Sequence, residues 1–410
     1  MSNLTAALAS LDGEELLADL EALGQIGRTP SGGLARLAFS PADQAGREWV
    51  RQRMAEVGLS VRVDPAGNSI GQLAGADPSL PPLVLGSHTD TVPDGGRFDG
   101  ALGVLAGLAV VRSLRAAGLN LRHPLVVIDF TAEEATVAGG TFGSRALAGQ
   151  LTPTALELPT WAGDSLAALL RTAGLDPAGL AAAAWASGSV AAYFELHIEQ
   201  GGRLEAQGIP IGLVEGIVGI RRYSATFRGA ANHAGTTPMA DRADALVMAA
   251  PLIGAVREVA LAHGIVGTVG TVQVEPNAPN VIPGLVQLGL ELRALDERLL
   301  DAAEHELGQR AAALGGSLAR QSRKEPIHCD ERLIAVIAQS CQELGLPALR
   351  MPSGAGHDAM CMAALGPVAM IFVPSIGGIS HAPQEQTAPD HCIAGARVLL
   401  SATLSADAQL

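Results

Sequence analysis

Over the first two hundred residues, short uninterrupted apolar runs alternate with helical spacing of apolar positions. Leu83-Val84-Leu85 reads as a strand, Ala101 to Ala117 as a helix, and "PLVVIDFTAEE" as a second strand. A short helix is predicted near Gly143 to Ala148, and "VAAYFELHIEQGG" gives a third strand. A strand that is apolar at every position is covered on both faces, and such strands separated by helices predict an α/β sheet with parallel strands. Ahead of them, "MSNLTAALASLDGEELLADLEALG" has amphipathic helical periodicity, and the Ala-rich stretch from Thr160 to Trp185 holds two short helical patterns.

From about Leu213 to Arg323 the texture changes. Alternating strands such as "YSATFRG" appear, then the long helix "DRADALVMAAPLIGAVREVALAHG", paired strands flanking "EPNAPNVIPG", and a helix from Asp296 to Leu314. That βαββαβ order predicts a small inserted domain. The chain then returns to α/β character, carrying "SGAGHDAM" and "GGISHAPQEQT". The expected division is residues 1–213 and 329–410 in one domain and 214–328 in the other.

Length and composition agree with this division. A chain of 410 residues exceeds the size of a single core, and 48% hydrophobic residues with a mean hydropathy of +0.28 supply ample buried material. Charges such as Arg112 and Arg115 interrupt the apolar runs before the roughly 20 residues a membrane span needs. The first residues have no basic start, so a cytoplasmic protein is expected. Cys329, Cys341, Cys361 and Cys392 lack CxxC spacing and read as buried thiols. A net charge of −14 without a Lys/Arg cluster argues against nucleic acid and anionic membranes as partners, and leaves a small anionic substrate open.

The candidate chemistry lies at strand ends. "GSHTDTVPDGGRFDG" follows the first strand, Glu133-Glu134 the second and His197 the third, where sites in parallel sheets form. His88, Asp99, Glu133, Glu134, His197 and His381 together offer nitrogen and oxygen donors suited to zinc, manganese, cobalt or nickel. A bridging carboxylate can hold two such ions in a hydrolytic site.

In order along the chain, "GSHTDTVPDGGRFDGALGVLAGL", "FTAEE", "ELHIEQGGRLE", "ANHAGTTPM", "PNAPNVIPG" and "GGISH" resemble the hydantoinase/carbamoylase branch of the aminoacylase and carboxypeptidase superfamily, from about Gly24 to His391. The resemblance implies a phosphorylase/hydrolase-like dimetal catalytic domain with an inserted ferredoxin-like lid and dimerisation domain, and hence a homodimer. It implies cleavage of ureido or amide C–N bonds, as in N-carbamoyl-L-amino-acid hydrolases, β-ureidopropionases and allantoate amidohydrolases, with two divalent metals per subunit.

Carried over residue by residue, the resemblance makes Asp99 the bridging carboxylate, His88 and His197 ligands of one metal, and Glu134 and His381 ligands of the other. Asp90 would orient His88 by accepting its free N–H. Glu133 would be the general base that deprotonates the attacking water and then protonates the leaving nitrogen, and His233 the donor to the developing oxyanion. His233, Asn280 and Arg293 would bind a carboxylate-bearing substrate, with Gln200 and Gly356 lining the site. The chain departs from the branch in "EEATVAGGTFGSR", which is shorter than usual after the glutamate pair and lacks the Arg that the branch carries near the start of this loop, so substrate choice is less defined than catalysis. An aminoacylase or dipeptidase with the same metals, and a metal-free binding protein on the same fold, are the alternatives.

Overall fold

The computed structural model describes residues 3–410, which fall into two compact units. The first runs to Gly216 and resumes at Cys329. Its sheet has a parallel centre in the order Leu125–Phe130, Leu83–His88, Ala192–Ile198, Val368–Val373. Antiparallel strands flank that centre: Ser69–Leu73 and Ser60–Val63 beside Leu125–Phe130, and Ile211–Ile217 beside Val368–Val373. The four central strands are buried at every position, which is why their sequences are continuously apolar instead of alternating.

Register sets where the chemistry emerges. His88 pairs with Phe130, His197 pairs with Phe372, and the pairing of Leu85 with Phe194, extended three residues, brings His88 level with His197. Both histidines and the chain leading to Glu133 therefore leave the sheet at one edge.

The helix Ala101–Ala116 lies against that sheet with thirteen of its positions buried. It begins at Gly100, whose φ of +65° is a left-handed conformation that side chains resist, and whose Cβ would sit 2.4 Å from His88 Nε2. Glycine there both turns the chain out of Asp99 and leaves room for the His88 ring. The closing helix, Pro389–Gln409, carries Asp407, whose two oxygens accept the N–H groups of Arg122 and His123 at 2.9 and 2.8 Å.

The second unit, Ile217–His328, has a four-stranded antiparallel sheet in the spatial order Gly316–Lys324, Gly219–Arg228, Leu285–Ala294, Val266–Glu275. Its helices, Ala245–His263 and Glu297–Ala313, each start at an aspartate cap, Asp244 and Asp296, that accepts first-turn N–H groups. Strand Leu285–Ala294 alternates half-buried and buried positions. Val286, Leu288, Leu290 and Leu292 join Leu252, Val256, Leu300 and Leu307 in one core, while Glu291 and Arg293 lie on the opposite face.

Candidate metal centre

The loops at the strand ends are fixed by groups buried beneath them. The Arg47 guanidinium donates to the carbonyls of Phe130, Asp129 and Gly67 at 2.9, 2.9 and 2.7 Å and pairs with the Asp129 carboxylate at 3.3 Å. Arg36 donates from Nε to Thr89 O at 2.9 Å, and its backbone exchanges bonds with Thr91. Both arginines satisfy carbonyls that leave the sheet ladder, which a buried turn must provide for.

On this support, Asp99 is the meeting point. Its Oδ1 lies 3.2 Å from His197 Nε2 and 3.6 Å from His88 Nε2, and its Oδ2 lies 3.2 Å from His381 Nε2. His381 Nε2 is in turn 3.5 Å from Glu134 Oε1. Two donor groups result, His88–Asp99–His197 and Asp99–Glu134–His381, sharing one carboxylate. Donors bound tetrahedrally at about 2.1 Å stand about 3.4 Å apart, so this spacing fits a small divalent ion in each group.

The imidazoles are oriented for that task. His88 Nδ1 is 3.1 Å from the Asp90 carbonyl and His197 Nδ1 is 2.9 Å from the Ile198 carbonyl. Donation from Nδ1 turns Nε2 of each ring toward Asp99, where its lone pair becomes available to a cation once the ring is neutral. Asp90 thus orients His88 through its backbone oxygen, and its carboxylate is farther from the ring at 3.5 Å. That carboxylate accepts the backbone N–H groups of Glu133 and Glu134 instead, each at 3.1 Å, and so fixes the two glutamates. Ala132, Gln200 and His381 all have positive φ near 54–58°, strain concentrated where the loops converge.

Burial and mutual charge set the protonation. Burial lifts the Glu133 carboxyl well above the ordinary range, reinforced by Asp358, Glu134 and Asp90 and opposed by His88. Burial and then Asp99 raise Glu134 to about 7. The hydrogen bond to Asp99 raises His381 to about 9. Burial opposes the charged form of His88, yet Glu133, Asp90 and Asp99 outweigh it and raise the ring well above its usual value. Carboxylates crowded in this way attract a cation that would relieve their repulsion.

Of the other residues read from the sequence, Glu133 Oε2 reaches 3.7 Å from His88 Nε2, and Gln200 Nε2 lies 2.6 Å from Asp99 Oδ2 and 3.3 Å from His381 Nε2. Gly356 is exposed and precedes His357, whose ring centroid is 4.5 Å from that of His197. His233, Asn280 and Arg293 belong to the second unit. There the His233 and Asn280 segments pair: His233 bridges Val281, and Ala234 N–H donates to Asn280 O at 2.9 Å. The Gly235 N–H donates to His233 Nδ1 at 3.0 Å. Arg293 donates from Nε to Glu291 Oε1 at 2.7 Å.

Arg36 and Arg47 belong to the site's support but stand in none of the motifs above, and Glu195, which supports it too, opens "ELHIEQGGRLE" with no role assigned to it there. The Glu195 carboxylate accepts from Ser87 Oγ, Tyr193 OH and Ala359 N, each at 3.0 Å, below His197. A glutamate inside an apolar strand run was the available signal.

The chain matches the pattern of peptidase family M20/M25/M40 over residues 84–405. It is 42% identical over 397 residues to an N-carbamoyl-L-amino acid amidohydrolase of Geobacillus stearothermophilus, covering 95% of this chain and 97% of the relative. It is 34% identical over 393 residues to an allantoate amidohydrolase of Bacillus subtilis, covering 93% and 94%. Among solved structures, a hydantoinase/carbamoylase family amidase from Burkholderia multivorans superposes with a TM-score of 0.88 at 37% identity, covering 97% of this chain and 98% of that one.

Proposed function

The chain belongs to peptidase family M20/M25/M40, and from that membership we infer a metal-dependent amidohydrolase that cleaves the C–N bond of N-carbamoyl amino acids or related ureides. The observation that carries the reading is the shared carboxylate, one Asp99 oxygen facing His88 and His197 and the other facing His381.

His88, His197 and Asp99 would hold one divalent cation, and Asp99, Glu134 and His381 the second. The mixed nitrogen and oxygen donors suit zinc or manganese, with cobalt or nickel as substitutes. When bound, the cations supply Lewis-acid polarisation of the carbonyl and a more acidic attacking water. Glu133 takes the water's proton as the new C–O bond forms, and returns it to the nitrogen as the C–N bond breaks. Breaking that one C–N bond releases the amino acid and carbamic acid, and the carbamic acid then loses its remaining C–N bond in water to give ammonia and carbon dioxide, so one water is consumed in all.

In the second unit, Gly235 occupies His233 Nδ1 as an acceptor, so the neutral ring carries its proton on Nε2, a donor for the developing oxyanion. Asn280 and Arg293 are assigned to the substrate carboxylate, Arg293 by paired charged hydrogen bonds. Gln200 and Gly356 are assigned to the lining of the site. We assign the second unit to pairing of two chains as well. Leu246, Val247, Ile253 and Leu261 are exposed on its first helix, and Val266 and Val272 on the edge strand that follows. Apolar exposure beside an unpaired strand edge suits a two-fold interface, which sedimentation tests directly.

The function is tested with chelated enzyme given zinc or manganese and offered N-carbamoyl-L-amino acids, ureidopropionate, allantoate and N-acetyl amino acids. Ammonia release from a carbamoyl or ureide substrate is expected. Turnover confined to the N-acetyl compounds would replace this reading with an aminoacylase.

A further inference from the structure

Glu385, four residues beyond His381, is 2% exposed and has no place in the chemistry described so far. Its Oε1 accepts the backbone N–H groups of Phe98 and Asp99 at 2.9 and 3.1 Å. Its Oε2 lies 2.9 Å from Ser380 Oγ, and that same hydroxyl lies 2.9 Å from Asp99 Oδ2. One side chain therefore grips the peptide of Asp99 and the residue preceding His381, which stand 281 positions apart in the chain. The packing leaves room for this contact and little else: a Cβ on Gly96 would fall 2.0 Å from Glu385 Oε1 and 2.1 Å from its Cδ.

The segment being gripped needs an external hold. His381 has a φ of +56° and follows Gly377 and Gly378, both with positive φ, and its side chain is about half exposed. A non-glycine residue in that conformation persists only where its surroundings over-determine it. The other donor group has independent supports. His88 and His197 are each held at Nδ1 by a backbone carbonyl, and Asp99 and Phe98 are tied through their own carbonyls to Ala101 and Leu102 at the start of the helix.

We propose that Glu385 is a positioning residue for the Asp99–Glu134–His381 cation position, setting the spacing between Asp99 and His381 through Ser380 and the Asp99 peptide. This rests on the dimetal reading above. Two substitutions disturb the contact by different routes. Glu385→Leu keeps much of the bulk but removes both acceptor oxygens, so the Phe98 and Asp99 N–H groups and the Ser380 hydroxyl all lose this partner. Gly96→Ala leaves Glu385 intact and displaces its carboxylate. Loss of a residue that orients a ligand typically weakens metal binding about 10–100-fold.

The test is competition between the metal-free full-length protein and a chromophoric chelator for manganese or zinc alone, with thermal melts run alongside. Wild type is expected to take up two ions per chain. In both variants one ion should bind within about threefold of wild type and the other about 10–100-fold more weakly. Wild-type affinity for both ions in either variant, whatever its melting temperature, overturns the proposal, and so does equal weakening of both. A wild type that takes up fewer than two ions removes the dimetal reading itself, and the proposal falls with it.

Discussion

Asp90→Asn isolates the carboxylate that holds the two glutamates. In the native protein each Asp90 oxygen accepts one backbone N–H, from Glu133 and from Glu134, and the residue is fully buried. Asparagine keeps one acceptor oxygen and turns an NH2 group toward the other N–H. One charge-assisted bond is lost and one buried donor is left unsatisfied, so unfolding should become easier by about 2–4 kcal/mol. Removing a buried charge offsets part of this, yet the charges of Arg36 and Arg47 are themselves favoured by Asp90, which limits the gain. Urea unfolding of the metal-free protein, followed by circular dichroism, measures the loss. Displacing the Glu134 backbone should also weaken metal uptake about 10–100-fold. A variant within about 0.5 kcal/mol of wild type and with unchanged metal affinity would refute the reasoning, because the glutamates would then be held by something other than this carboxylate.

Glu133→Gln keeps the side chain's shape but cannot accept a proton, so kcat should fall about 10²–10⁴-fold while two metals remain bound; an unchanged rate removes Glu133 as the base. Metal uptake should strengthen as pH rises from about 6 to 9. His381 and Glu134 keep their protons below about 9 and 7 and must shed them to bind, so proton release measured by calorimetry in buffers of different ionisation enthalpy should shrink toward high pH. An affinity independent of pH would contradict that linkage. Arg293→Ala should abolish discrimination between a substrate and its amidated analogue, and equal discrimination by both proteins would assign the carboxylate to another residue.

The residues that gather around Asp99 were legible in the sequence because they are concentrated in short segments. Histidines and carboxylates next to glycines at the ends of wholly apolar strands have few structural reasons to be there, and register then carries His88 and His197 to one edge. What supports those residues was not legible. Arg47 stands in no motif, and only the fold brings it to the carbonyls of Gly67, Asp129 and Phe130. Asp90 shows the same limit: the family resemblance implies a carboxylate-to-ring bond with His88. The turn presents its carbonyl instead and sends the carboxylate to residues more than forty positions away. Long-range hydrogen bonds of this kind have no period and no local composition, so nothing near them in the chain announces them.

The most direct measurement is metal content after reconstitution, counted by inductively coupled plasma mass spectrometry on wild type, His197→Ala and Asp99→Ala. A carboxylate shared between two donor groups predicts two ions per chain in wild type, about one in His197→Ala, and loss of both in Asp99→Ala. Retention of two tightly held ions by Asp99→Ala would contradict the account, because the oxygens that join His88 and His197 to His381 would then be dispensable.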